Sequence, residues 1–344
     1  MWTNCKLVKS EYVQIQNIFI MRGYKLYIGF FMAVMAFSGC NTDSVDDVTF
    51  NVSIADCADL VHKGREVTFL FEGNPDYITF YSGENGNNYA NKDRTTVELN
   101  SLTLEAAFKQ QYTDQEYYNQ ELIHAYISES FTGSYTVEGI KSSQWIKISG
   151  NAPGQLIVPV PLNSSAITTE STYDLSAYAN KNFYLAFEYN APKRNEVPQV
   201  DGNGKYVQAP RIDVQSLVLK KETVDGQQIE MSNTATDWGF QVVYENSEQK
   251  GTYLVNDESL LFQPQKNLEH NDDDVIVWMV SQKLVPNSIS PDRGIAIKGT
   301  DVSLSSYTYT YSQPGVYTAT FIATNANMWN SKQMIKEITF TVSE

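Results

Sequence analysis

Side chains able to do covalent or acid–base chemistry are sparse in this sequence. The three histidines, His62, His124 and His270, form no HExxH pair, and no GxSxG nucleophile elbow occurs. Cys57 has His62 five residues on, but a Cys-His dyad is a spatial arrangement that this spacing does not supply. Each histidine therefore reads as a surface or structural residue. Two carboxylates about 5–9 Å apart could hydrolyse a glycosidic bond. Among 40 Asp and Glu residues that criterion selects nothing. The chain is read as a non-enzyme, with a glycoside hydrolase the one catalytic class left open.

Non-covalent chemistry has better candidates. A flat aromatic ring matches the apolar C–H face of a sugar, while neighbouring amides and carboxylates bond its hydroxyls. Trp329 lies in Asn325-Ala326-Asn327-Met328-Trp329-Asn330, between two alternating runs, which predicts a hairpin tip. An exposed Met-Trp pair is costly unless it meets something. Trp329, with Asn327 and Asn330, is thus either a ligand platform or a packing contact to a neighbouring domain. Tyr112, Tyr117, Tyr118 and Asn119 form a second polar-aromatic cluster in an expected loop, and Tyr206 is a third position. Trp145, Trp238 and Trp278 fall inside alternating apolar runs and read as core. Asn271-Asp272-Asp273-Asp274 and Asp201-Gly202-Asn203-Gly204 are oxygen-rich but do not match the spaced calcium loop with its closing Glu. Asp272, Asp273 and Asp274 are weak candidates for a structural Ca²⁺. No other cofactor is expected.

Cys40 is the thiol with a context. Met21-Arg22-Gly23-Tyr24-Lys25 is basic, Leu26 to Phe37 is apolar, and Ser38-Gly39 are small. The apolar run would make a helix of roughly 18 Å, short of the about 20 residues a bilayer core needs. This is the anatomy of a cleaved signal, residues 21–39, and it resembles a bacterial lipoprotein signal with cleavage before a lipidated Cys40. Residues 1–20 have no pattern and read as an upstream extension, with Met21 the true start. Residues 40–47 carry Asp43, Asp46 and Asp47 and read as an acidic tether. The expected location is the outer membrane, lipid-anchored and facing out. With Cys40 lipidated, Cys57 has no disulfide partner and reads as a small buried hydrophobe. The net charge of −15, with no basic stripe, excludes nucleic acid and anionic headgroups as partners.

The elements that would carry these residues are strands. Residues 66–72, 77–82, 183–189, 305–311, 316–324 and 335–342 alternate with period two and are rich in β-branched and aromatic residues. Turns are marked by Gly73-Asn74-Pro75-Asp76, Gly83-Glu84-Asn85-Gly86 and Gln313-Pro314-Gly315. Further strands are expected at 48–53, 121–129, 145–149, 155–160, 212–221, 238–244, 259–263 and 275–281. Leu102 to Phe108 could be a strand or a helical turn. About three strands at each end are too few for a sandwich of about seven, but together they suffice. The predicted fold class is all-β. An immunoglobulin-like sandwich is made of residues 48–98 and 300–344, and residues 99–299 form an inserted jelly roll. Domains in series are the competing arrangement.

Gly73 to Glu84, followed by Tyr89 and Arg94, resembles the opening of an uncharacterised family of Bacteroidetes surface lipoproteins, the domain of unknown function 5017 family. The stretch from Tyr309 to Asn327 resembles its closing pattern. The ends are similar to PKD-type immunoglobulin-like modules. Gly133-Ser134, Trp145, Tyr173-Asp174-Leu175-Ser176 and Val277-Trp278-Met279-Val280 are similar to adhesin-type jelly rolls. The resemblance implies a place in a glycan-uptake system beside a surface transporter, and no catalytic residues. The expected function is binding of polysaccharide or glycoprotein glycans. The alternative is a fimbrial or matrix-type lipoprotein that binds protein by strand addition.

Overall fold

The computed structural model describes residues 11–13, 44–55, 61–193, 209–245, 251–265 and 274–344. Cys40, the signal 21–39, Cys57, the Gly202–Gly204 turn, Tyr206, His270, Asp272 and Asp273 lie outside the described residues. Among the described residues no helix is long and apolar enough to cross a membrane.

The protein is all-β. In chain order the strands are β1 (Glu11–Val13), β2 (Asn51–Ile54), β3 (Glu66–Glu72), β4 (Tyr77–Tyr81), β5 (Leu99–Gln111), β6 (Ile123–Ser128) and β7 (Ile146–Lys147). Then come β8 (Ile167–Asp174), β9 (Tyr184–Ala191), β10 (Arg211–Thr223), β11 (Gln228–Met231), β12 (Gln241–Tyr244) and β13 (Gly251–Val255). The last are β14 (Leu260–Pro264), β15 (Val275–Val280), β16 (Ile295–Lys298), β17 (Ser306–Thr310), β18 (Gly315–Ala326) and β19 (Ser331–Val342). One short helix, α1, covers Val137–Lys141.

The chain divides into two compact units, Met1–Thr95 with Ser290–Glu344, and Thr96–Ile289. In the first, the sheet β1-β19-β18-β4-β16 and the sheet β17-β3-β2 share one core. Alternation makes that core: Val67, Phe69 and Phe71 of β3 are buried while Glu66, Leu70 and Glu72 are not. Phe69 meets Phe321 edge-on at 5.0 Å between ring centroids. β18 pairs with β4 so that Phe321 lies opposite Phe80. The turn between β3 and β4 needs glycine: Gly73 has φ +92°, and a Cβ there would lie 2.0 Å from the Thr49 carbonyl oxygen. β16 pairs with β4, so the second division falls at Ile289/Ser290, ten residues ahead of the expected 299/300.

The second unit packs the sheet β13-β14-β10-β5-β8, with β11 beside β10, against β12-β15-β9-β6-β7. Leu102, Leu104, Ala106 and Phe108 are buried at every second residue, so the ambiguous segment is strand β5. β5 and β10 pair along their length, with a register shift between Val214 and Ser216.

Three expectations need correction. Residues 155–160 form no ladder strand, although Leu156 and Val158 are buried. Pro159 and Pro161 remove the backbone donors a ladder needs. Glu11–Val13, within the stretch read as pattern-free, pairs with β19, whose outer edge offers unsatisfied backbone groups. The acidic segment is not a free tether up to Asp47. Val45 is buried, the Asn325 side-chain amide donates to the Asp46 and Asp47 carbonyls at 3.2 and 3.4 Å, and Lys332 meets the Asp47 carboxylate at 2.7 Å.

Candidate functional site

The β18–β19 hairpin closes on Asn327-Met328-Trp329-Asn330, as expected for a tip. The Asn327 N–H donates to the Asn330 carbonyl at 2.9 Å. Asn327 Oδ1 accepts the backbone N–H of Trp329 at 2.9 Å and of Asn330 at 2.8 Å. An Asx side chain mimics a backbone turn in this way. Asn327 thus fixes the turn through its Oδ1, and its Nδ2 donates to the Ser44 carbonyl at 3.4 Å. The turn presents Met328 at 82 % exposure and Trp329 at 67 %. Asn330 is exposed beside them.

The Tyr112–Asn119 cluster is corrected. Tyr117 is buried in the core of the second unit, and its hydroxyl donates to the Pro192 carbonyl at 3.4 Å. It cannot meet a ligand. Tyr118 is half-buried, while Tyr112 and Asn119 are exposed and take positive φ of 58° and 59°. Alternation could not find this, because Tyr117 sits on a single 3₁₀ turn, Gln115–Tyr117. Asp274, the one described member of the acidic turn, accepts the Lys193 backbone N–H at 2.7 Å. Among the described residues no group of three His, Cys, Asp or Glu side chains could hold a metal. Trp238 is fully buried and Trp278 nearly so, whereas Trp145 is half-buried. The Trp145 indole N–H donates to the Ile140 carbonyl at 3.0 Å.

Two features escaped the sequence reading. The first is a cleft of about 480 Å³ in the second unit, beside β10 and β11. Leu219, Ile229, Met231 and Val285 give it apolar walls, and Lys221, Glu230, Asp237 and Gln282 bring polar groups to it. The Lys221 ammonium donates to the carbonyls of Pro286, at 3.0 Å, and Ser288. Burial lowers its pKa. Gln282 Nε2 donates to the Asp237 carbonyl at 2.7 Å. The volume is that of a small-molecule site. Its lining comes from four separate chain segments, so no local pattern announces it.

The second is a polar network on the outer face of β6 and β9. Strand period places His124 and Tyr126 on one face of β6, and Glu188 and Asn190 on the same side of β9, with His124 opposite Glu188. Glu188 is buried. Its Oε2 accepts from the Tyr126 hydroxyl at 2.8 Å and from His124 Nδ1 at 3.1 Å, and its Oε1 from Asn190 at 3.4 Å. Burial raises the Glu188 pKa, but the bonds from His124 and Tyr126 and the charge on His124 outweigh it, so the carboxyl titrates below the ordinary range. Burial, and then Glu188 itself, push the Tyr126 hydroxyl up. Tyr126 stacks on Trp278 at 5.2 Å, and Trp145 packs on Trp278 at 5.6 Å. Glu121 continues the network, bonded to Lys147 and Ser149 at 3.0 Å each. The i, i+2 spacing of His124-Tyr126 and Glu188-Asn190 was the available signal, but nothing local pairs the two strands.

No curated protein matches the chain, and no solved structure matches it. One family model does, described as a domain of unknown function (DUF5017), over residues 39–239. The match begins one residue before Cys40, covers β2 to β11 and spans more than half of the chain. The chain therefore belongs to the DUF5017 family.

Proposed function

We propose that this is a non-catalytic lipoprotein, anchored through Cys40 in the outer membrane and facing the medium, that binds glycans for a surface transporter. In this reading the ends form an immunoglobulin/PKD-like module and the middle a jelly roll of the Bacteroidetes adhesin type. The observation that carries the reading is the mixed cleft beside β10 and β11. Its aliphatic walls suit the C–H faces of a sugar. Glu230 and Asp237 can accept from hydroxyls, while Lys221 and Gln282 can donate. Lipid anchoring holds the captured chain near its transporter and raises its effective concentration.

Affinity electrophoresis through gels loaded with neutral polysaccharides tests this. Retardation that varies little with salt is expected, because the contacts are not ion pairs. Val285→Trp, at the exposed rim of the cleft, should abolish it. Retardation that survives Val285→Trp, or that collapses at moderate ionic strength, overturns the reading. Silence on every glycan with concentration-dependent self-association favours the adhesive alternative, and released sugar favours a hydrolase.

A further inference from the structure

The hairpin tip and the anchored end of the chain meet. Ser44 lies against the tip, its carbonyl 3.4 Å from Asn327 Nδ2. Val45 and Val48 are buried, Asn325 holds the Asp46 and Asp47 carbonyls, and Lys332 neutralises Asp47. The chain is thus seated along the hairpin from Ser44 onward. Only three residues lie between Cys40 and Ser44, four steps along the chain that span at most about 14 Å even when fully extended. Lipid on Cys40 places that sulfur at the bilayer surface. The tip must then lie near the same surface, whatever the path of the linking residues.

What the tip presents fits that surface. Met328 and Trp329 are its exposed large apolar residues, at 82 % and 67 %. Trp favours the headgroup level, where its ring is in an apolar setting and its N–H stays wet. Asn327 fixes the turn through two backbone N–H groups, so little order is lost on contact. The net charge of −15 argues against attraction to anionic headgroups, so the contact is apolar and aromatic.

We propose that Met328 and Trp329 dock into the interface of the leaflet that carries the lipid anchor, and so give the protein a second point of attachment beside Cys40. The lipid fixes one point of the protein at the bilayer, and a second, apolar contact adds its own buried area and fixes how the body faces the surface. This rests on the lipidation of Cys40 but not on glycan binding. The tip is then a membrane foot, and the sugar-binding role expected of Trp329 passes to the cleft.

The test uses acylated protein purified from its native membranes and reconstituted in phosphatidylcholine vesicles that carry brominated lipid. Tryptophan emission should be quenched by bromine near the headgroup, with quenching about twofold or more above that of Trp329→Phe. Trp145, Trp238 and Trp278 remain as internal reference. Protein that sediments with vesicles but is quenched equally in wild type and Trp329→Phe overturns the docking and leaves the anchor intact. Protein that takes up no labelled palmitate, or a Cys40→Ser form that still sediments, overturns the anchor and the docking together. Trp329 emission that answers to added polysaccharide and not to brominated lipid returns the tip to sugar binding and also overturns the proposal.

Discussion

The β18–β19 tip and the outer face of β6 and β9 both gather aromatic and polar side chains, yet they are built in opposite ways. At the tip, Asn327, Trp329 and Asn330 are chain neighbours, and the bonds that shape the turn span two or three residues. On the sheet face, His124, Tyr126 and Glu188 meet across about sixty residues of chain, and Glu188 is buried where the tip is open. A side chain that packs against nothing can be lost without harm to the fold. A buried carboxylate with three donors cannot, because each donor is left without a partner. Large aromatic area at the tip is therefore available for contact with something outside the molecule, while the network serves the unit that contains it.

The sharpest way to break this contrast is Glu188→Ala. It removes the acceptor of the Tyr126 hydroxyl and of His124 Nδ1 and should cost about 3 kcal/mol or more. The check is chemical denaturation with unchanged cooperativity, and a loss under about 1 kcal/mol would place the network with the tip as dispensable. Acid comes next. The folded Glu188 pKa is depressed below 4.5, so its stabilisation is complete above that value and fades as pH falls through the lower folded value. Between neutral pH and about pH 3, wild type should lose more stability than Glu188→Gln. Equal loss in the two proteins would remove Glu188 from the account. The smallest effects belong to the tip. Asn327→Ala forfeits the two turn bonds and should cost about 1 kcal/mol. Trp329→Ala should change thermal or denaturant stability by no more than about 0.5 kcal/mol despite the size of the ring. A Trp329→Ala loss above that of Asn327→Ala would mean that the ring packs within the protein after all.

Much of the secondary structure was legible. Glu66–Glu72 and Tyr77–Tyr81 alternate cleanly because one face of each meets a core and the other does not. β8 (Ile167–Asp174) was missed for the opposite reason: ITTESTYD offers Thr, Ser and Tyr to the interior, so apolar contrast is faint. Residues 155–160 were overread, since Leu156 and Val158 carry the signal of a strand while Pro159 and Pro161 forbid its ladder. Tyr117 was misplaced because polar neighbours in a short 3₁₀ turn do not reveal which ring faces inward.

The amino-acid sequence by itself determined the all-β class and the hairpin tip that carries Trp329. Each rests on residues adjacent in the chain, where period, turn chemistry and hydropathy act locally. Tertiary structure alone decided that Ser44 lies against Asn327, that Glu188 gathers His124 and Tyr126, and that β10, β11 and the segments around Asp237 and Gln282 line one cleft. Those contacts join residues tens to hundreds of positions apart. Which strand edges and faces meet is set by the packing of whole sheets, and that is a property of no single segment.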